Sequence, residues 1–179
     1  GATAFYGINS DGDMAGYFAA KARLFTELLP ASAKTDPVAV VNVDDAHGVR
    51  LAAGLKTRCV SFGRAPGAVV RLDAIESTLA GTSGVLVLGS RRLPFSSPLV
   101  GAPHCENIAA AAATAWALGV DAETIAAGIA ATPPPAGRVE RIGGPGFTVV
   151  VDYAHTPDAL ERLLEALRPL VSGALITVF

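Results

Sequence analysis

"FTVVVDYAHTPDALERLLEALRPLV", residues 147–171, joins a β-branched run to an amphipathic helix. Phe147, Val149 and Val151 alternate with Thr148 and Val150 between Gly146 and a turn-forming Thr-Pro pair, which predicts a short strand buried on both faces. Leu160, Leu163, Leu164 and Leu167 then recur at helical spacing. Thr156 is placed to cap that helix, Pro157 suits its first position, and Asp158 complements the positive end of the helix dipole. In an open α/β sheet, ligands bind outside the carboxyl ends of the parallel strands. Asp152 and His155 fall at such an end, which makes this acid and this imidazole candidate site residues.

Working outward, the periodicity predicts a strand at residues 3–8, a helix at 14–29, a strand at 38–43 and a helix at 46–55. Short strands follow near 59–62, 69–75 and 84–88, separated by Gly and Pro without helical segments, which suggests a small antiparallel addition. Two Ala-rich helices at 106–118 and 122–131 come next, then three prolines at 133–135, a strand at 138–142, the quoted strand and helix, and a last strand at 174–179. Strands alternating with helices predict an α/β fold, a mainly parallel sheet flanked by helices. The chain has 179 residues, about the size of one domain. The proline link is too short to divide it, so one domain over residues 1–179 is expected. "ALITVF" at the end reads as a central strand with nothing after it, so the chain is expected to be cut from something longer.

Hydrophobic residues make up 51% of the chain, charged residues 17%, and the net charge is −2. That composition excludes a disordered tail and a nucleic-acid binder relying on excess Lys and Arg. Apolar stretches such as 108–120 fall short of the roughly 20 residues that span a bilayer, so no membrane segment is expected. Cys59 and Cys105 have neither metal-ligand spacing nor a disulfide framework, and no signal-peptide pattern opens the chain. A cytoplasmic location is expected.

Several side chains could carry chemistry. Met14, Phe18, Lys21, Phe25 and Leu28 follow one helical stripe, which places Lys21 within an apolar seam. Desolvation lowers an amine's pKa, and a neutral amine can add carbon dioxide to become a metal-binding carbamate. The plainer reading lays the lysine stem over the core edge and sends its ammonium to water. "VVNVDD", residues 40–45, puts Asn42 inside a strand, where Asn is depleted and needs a specific partner. One of Asp44 and Asp45 is a natural helix cap, and the other is free to face a ligand. "GRVER", residues 137–141, offers Arg138 to a phosphate oxygen, or else a plain strand-edge arginine. In "GAPHCENIAAAAATA", His104 reads as a turn residue or cap, and Asn107 as a local backbone partner.

Taken together and in this order, "MAGYFAAKARLF", "VNVDD", "GRVER" and "VDYAHTPDALERLLEALRP" resemble the Mur ligases, most closely those of the MurE type. The likeness runs over nearly the whole chain and corresponds to the family's central, P-loop NTPase-like domain. It implies an ATP- and Mg2+-dependent amide ligase of peptidoglycan precursor synthesis. Such an enzyme adds diaminopimelate or lysine, as third amino acid, to UDP-N-acetylmuramoyl-L-alanyl-D-glutamate through an acyl phosphate. By the same resemblance, Lys21 is the lysine that becomes a carbamate and helps hold magnesium. Asn42, Asn107 and Arg138 lie on the nucleotide side, Asp152 binds the ribose, and His155 neighbours both nucleotide and chemistry. A monomer is expected, with no nucleic-acid partner.

The chain also departs from the family pattern. It has no Gly-x-x-x-x-Gly-Lys-Ser/Thr phosphate loop, which the family carries upstream of the position of Gly1. After "TAFYGIN" the family has an Asp-His segment bearing a magnesium ligand, where this chain runs directly into Ser10-Asp11-Gly12-Asp13. His104 stands where the family has the first asparagine of an Asn-x-x-Asn pair. The family's C-terminal domain is expected beyond Phe179, and this chain alone is expected not to turn over. Two other readings stay open: another Mur-like ligase, of the folylpolyglutamate or cyanophycin type, and a non-catalytic Mur-like module.

Overall fold

The computed structural model describes residues 14–178; the strand expected at 3–8 lies outside them. The first helix, α1 (Met14–Arg23), runs on into a π-helical turn at Leu24–Leu28. Leu29 N donates to Leu24 O at 2.9 Å, the i→i+5 spacing that widens the turn. That widening takes Phe25 and Leu28 off the line begun by Phe18 and Lys21, and the expected apolar seam does not form. Phe18 instead leans on the next helix, α2 (Ala46–Gly54), with its ring 5.2 Å from His47 and 4.4 Å from the Arg50 guanidinium.

A five-stranded mixed sheet holds the core, in the order β1 (Val38–Asn42), β2 (Arg58–Gly63), β3 (Val70–Thr78), β4 (Gly81–Leu88), β5 (Arg91–Ser97). β1, β2 and β3 run parallel, and β4 and β5 complete an antiparallel meander. β2 and β3 overlap only at Phe62↔Val70 and Gly63↔Arg71. β3 therefore continues past the end of β2, and the connection through residues 64–69 needs no crossover helix. β5 escapes prediction because Pro94 interrupts it. Proline is tolerated there because β5 is the edge strand and pairs only with β4.

α3 (Ala102–Ala117) closes one face of the sheet, burying Cys105, Ile108, Ala109, Ala112 and Ala113 at helical spacing against Val60, Phe62, Val70, Leu72, Leu86 and Leu88. Small alanines let the helix approach closely. α4 (Ala122–Ala131) is capped by Asp121, which accepts from Thr124 N at 2.9 Å, and it buries Ala122, Ile125 and Ile129 beside β5. α3 begins four residues before its predicted start, because Gly101 opens it and Pro103 is admitted in its first turn.

Beyond the prolines, β6 (Glu140–Gly144) and β7 (Phe147–Val151) form a separate antiparallel ribbon turning at Pro145-Gly146. The quoted strand is thus not a buried parallel strand. Phe147, Val149 and Val151 are 64%, 42% and 41% exposed, because the tight turn returns the chain antiparallel and β7 pairs with β6 alone. Val150 packs into a small second cluster with Val100, Val139, Leu163, Leu167, Leu170 and Leu175. α5 (Pro157–Leu167) starts as predicted, with Thr156 Oγ1 accepting from Ala159 N at 3.3 Å. Residues 174–178 form no strand; they border a groove of about 770 Å³ between β7 and α5. Among the described residues, no helix is long and apolar enough to cross a membrane.

Candidate functional site

Two neighbouring features are built around the first turn of α3. The first is a small hollow at the carboxyl ends of β1 and β2, lined by Asn42, Asp44, Gly63, Arg64, Cys105 and Glu106 among others. Asp45 caps α2, accepting from His47 N at 2.7 Å and Gly48 N at 2.9 Å. Asp44, the other acid, turns to the loop after β2, where its Oδ1 accepts from Arg64 N at 2.6 Å and Ala65 N at 3.0 Å. Asn42 Oδ1 accepts from Asp44 N at 2.9 Å, so the asparagine has the specific partner its strand position required. Gly63 lies at φ 148°, and a Cβ there would run into the Asp44 carboxylate. Gly48 likewise admits the Asn42 carbonyl where a Cβ would stand.

The second feature is an elbow at residues 137–139. Gly137 O accepts from Tyr153 N at 2.9 Å, Gly137 N donates to Glu140 Oε2 at 2.8 Å, and Arg138 N donates to Pro135 O at 3.2 Å. Val139 N donates to Asp152 Oδ2 at 2.8 Å, and Asp152 Oδ1 accepts from Ala154 N at 2.8 Å. Val139 sits at φ 50°, a left-handed conformation that costs a β-branched residue about 1–3 kcal/mol and persists only where its surroundings over-determine it. Here they do. The elbow presents the Arg138 guanidinium 5.3 Å over the Tyr153 ring, and Tyr153 meets His155 edge-on at 4.8 Å. His155 Nδ1 lies 2.8 Å from Tyr153 O, which fixes Nδ1 as the protonated donor.

His104 connects the two features. It is a buried member of the first turn of α3, and its Nε2 lies 3.1 Å from Arg138 O. Its neighbours Cys105 and Glu106 wall the hollow. Burial pushes the Cys105 thiol up, against a smaller lowering influence of the Arg64 guanidinium.

The structure thus brings Arg138, Asp152 and His155 together and sets Asn42 in the adjoining hollow. It does not join the other two sequence candidates to them. Lys21 is exposed, its Nζ 4.6 Å over the Tyr17 ring, and none of the described elements desolvates it. Asn107 is exposed in the groove between α3 and α4, with Ala111 and Ile129 among its neighbours. Sequence reasoning passed over Tyr153, Arg64 and Glu106. Tyr153 stood inside the quoted motif and could have been found as an aromatic beside a cation.

Among the described residues, no three His, Cys, Asp or Glu side chains gather as metal ligands. Magnesium needs no such cage, since it is usually held by one or two carboxylates and completed by phosphate oxygens and water. An exposed guanidinium stacked on an aromatic ring, next to amide and carboxylate oxygens, suits a nucleotide with its cation.

Comparison with known proteins identifies the family. A family model described as the Mur ligase middle domain matches residues 8–115, and one described as Mur ligase, glutamate ligase domain, matches residues 137–179. The second match begins at the elbow. A UDP-N-acetylmuramoyl-L-alanyl-D-glutamate--2,6-diaminopimelate ligase of Geobacter metallireducens is 44% identical over 93% of this chain and 33% of its own length. The chain therefore spans about a third of the length of the curated relatives it matches. A solved structure of a ligase with that same name superposes with TM-score 0.70 at 30% identity, covering 90% of this chain and 33% of that one. MurF from Acinetobacter baumannii shares the fold, with TM-score 0.76 at 24% identity over 88% of this chain and 34% of that one.

Proposed function

The chain belongs to the Mur ligase family, and from that premise we propose that it is part of an ATP-dependent ligase joining 2,6-diaminopimelate to UDP-N-acetylmuramoyl-L-alanyl-D-glutamate. The relatives' printed names support the substrate. The observation that carries the nucleotide half of the reading is the Arg138–Tyr153–His155 group held against the first turn of α3. ATP, when bound, supplies the phosphoryl group that activates the acceptor carboxylate. In this reading Arg138 holds phosphate charge, Tyr153 and His155 offer ring faces, and Asn42 and Glu106 contribute oxygens from the hollow. Asp152 contributes by holding the elbow, and the free lone pair on each of its oxygens is available to a ribose hydroxyl. Lys21 as a carbamate would add a magnesium ligand; like Asn107 on the nucleotide side, it is assigned by motif position alone.

The second family match supports a different domain division. We place the boundary at the proline link, so that residues 137–179 open the following domain instead of closing the first one. Their separate ribbon, and a second hydrophobic cluster drawn mostly from them, support that division. The reading implies a cytoplasmic monomer.

The test is a graft. The chain replaces the matching segment of the Geobacter metallireducens ligase, and tripeptide formation is followed with diaminopimelate and with lysine. Product with diaminopimelate, lost in Arg138→Ala, is expected. A folded graft that consumes no ATP in the presence of both substrates would overturn the assignment.

A further inference from the structure

We propose that His104 is a positioning residue whose buried imidazole fixes the elbow at residues 137–139 and thereby the direction in which Arg138 presents its guanidinium. The residue is 6% exposed, and its Nε2 lies 3.1 Å from Arg138 O. A carbonyl oxygen only accepts, so Nε2 carries the hydrogen. The other bonds to the elbow come from Pro135, Glu140, Asp152 and Tyr153, all within the linker and the ribbon segment that follows. His104 alone among these contacts reaches it from the helix that covers the five-stranded sheet. Without that bond, the elbow's hydrogen bonds would all run to the ribbon side, and only the packing of Val139 in the cluster that holds Val100 would face the other way. With it, the Arg138–Tyr153 face is registered against the hollow, because Cys105 and Glu106, which wall the hollow, follow His104 directly in the helix. The asparagine that the family pattern has here is one bond shorter than an imidazole Nε2. This chain's histidine therefore supplies reach that the pattern residue lacks.

The inference rests on the nucleotide reading only for its binding arm. The 179-residue chain is compared with His104→Phe, which keeps a ring and removes the donor, and with His104→Gln, whose amide N–H lies as many bonds from Cβ as Nε2. Amide exchange at Val139 and Tyr153 is read by NMR, together with Mg-ADP affinity. In His104→Phe, exchange at both amides should rise about three- to tenfold, the range that one hydrogen bond confers. Ala109 and Ala113 within α3 should be unchanged. Mg-ADP affinity should fall by a similar factor, and His104→Gln should restore both readouts. Wild-type exchange in His104→Phe, no restoration in His104→Gln, or Mg-ADP affinity equal in all three chains would overturn the proposal. If none of the chains binds Mg-ADP, the nucleotide reading fails while the exchange data still decide the elbow. Should His104→Phe not fold, 15N NMR of the wild-type ring decides: the Nε2–H tautomer supports the proposal, and the Nδ1–H tautomer sinks it.

Discussion

Asp44 and Gly63 are intelligible only as a pair. The carboxylate reaches the amides of Arg64 and Ala65 because residue 63 has no side chain in its path. Gly63→Ala would displace Asp44, release two backbone donors to water and strain a positive φ, for a loss of about 1–3 kcal/mol in urea unfolding. Arg138→Ala removes a cation proposed to meet phosphate; charge-assisted hydrogen bonds of about 1.5–3 kcal/mol predict a ten- to hundredfold weaker Mg-ADP affinity by calorimetry. That one of Asp44 and Asp45 caps α2 was legible because the cap's partners, here those of Asp45, lie two and three residues on. The role of the other acid, Asp44, was not, since its partners lie twenty and twenty-one residues away. The apolar seam was overextended for a different reason: a 3.6-residue period was carried to Phe25 and Leu28 through a turn that closes at i→i+5.

At the scale of elements, local chemistry was the better guide. The Thr156-Pro157 start of α5 and the Asp121 cap of α4 are where the residue types place them. Thr156→Ala should cost about 0.5–2 kcal/mol, seen as increased exchange of the first-turn amides of α5 with α3 unaffected. Pairing was harder to read. The alternation in β7 established a strand, yet only the Pro145-Gly146 turn shows that its partner is β6 and that the pair is antiparallel. Pro94 hid β5, because a proline argues against a strand until the strand is known to be at an edge.

The whole molecule carries opposite titrations at its two ends of the pH scale. The Arg71 guanidinium beside Asp73, helped by Arg92, holds that carboxyl below its usual range. Its contribution is complete above about pH 4, the ordinary carboxylate range, and fades as pH falls through the lower folded value. Burial raises the Cys105 thiol, and Cys59 is shifted the same way. Their contribution is complete below about pH 8.5 and is lost as pH rises from there through the raised folded values. Urea midpoints measured across pH should therefore show a plateau with an acid limb softened in Asp73→Asn and an alkaline limb softened in Cys105→Ala. The layered α/β class was legible from alternation alone, whereas the junction near residue 137 was not, because the bonds that make it join His104 to Arg138 and Val139 to Asp152 across the chain. The meander of β3, β4 and β5 has the shortest connections in the sheet, with turns at residues 79–80 and 89–90. Chain closure over such distances is fast, while β1 must wait for α2 to be traversed before it meets β2. Refolding should accordingly zip the meander first and dock the parallel strands onto it afterwards, so that the half of the sheet bearing the Asn42 hollow is the last to assemble.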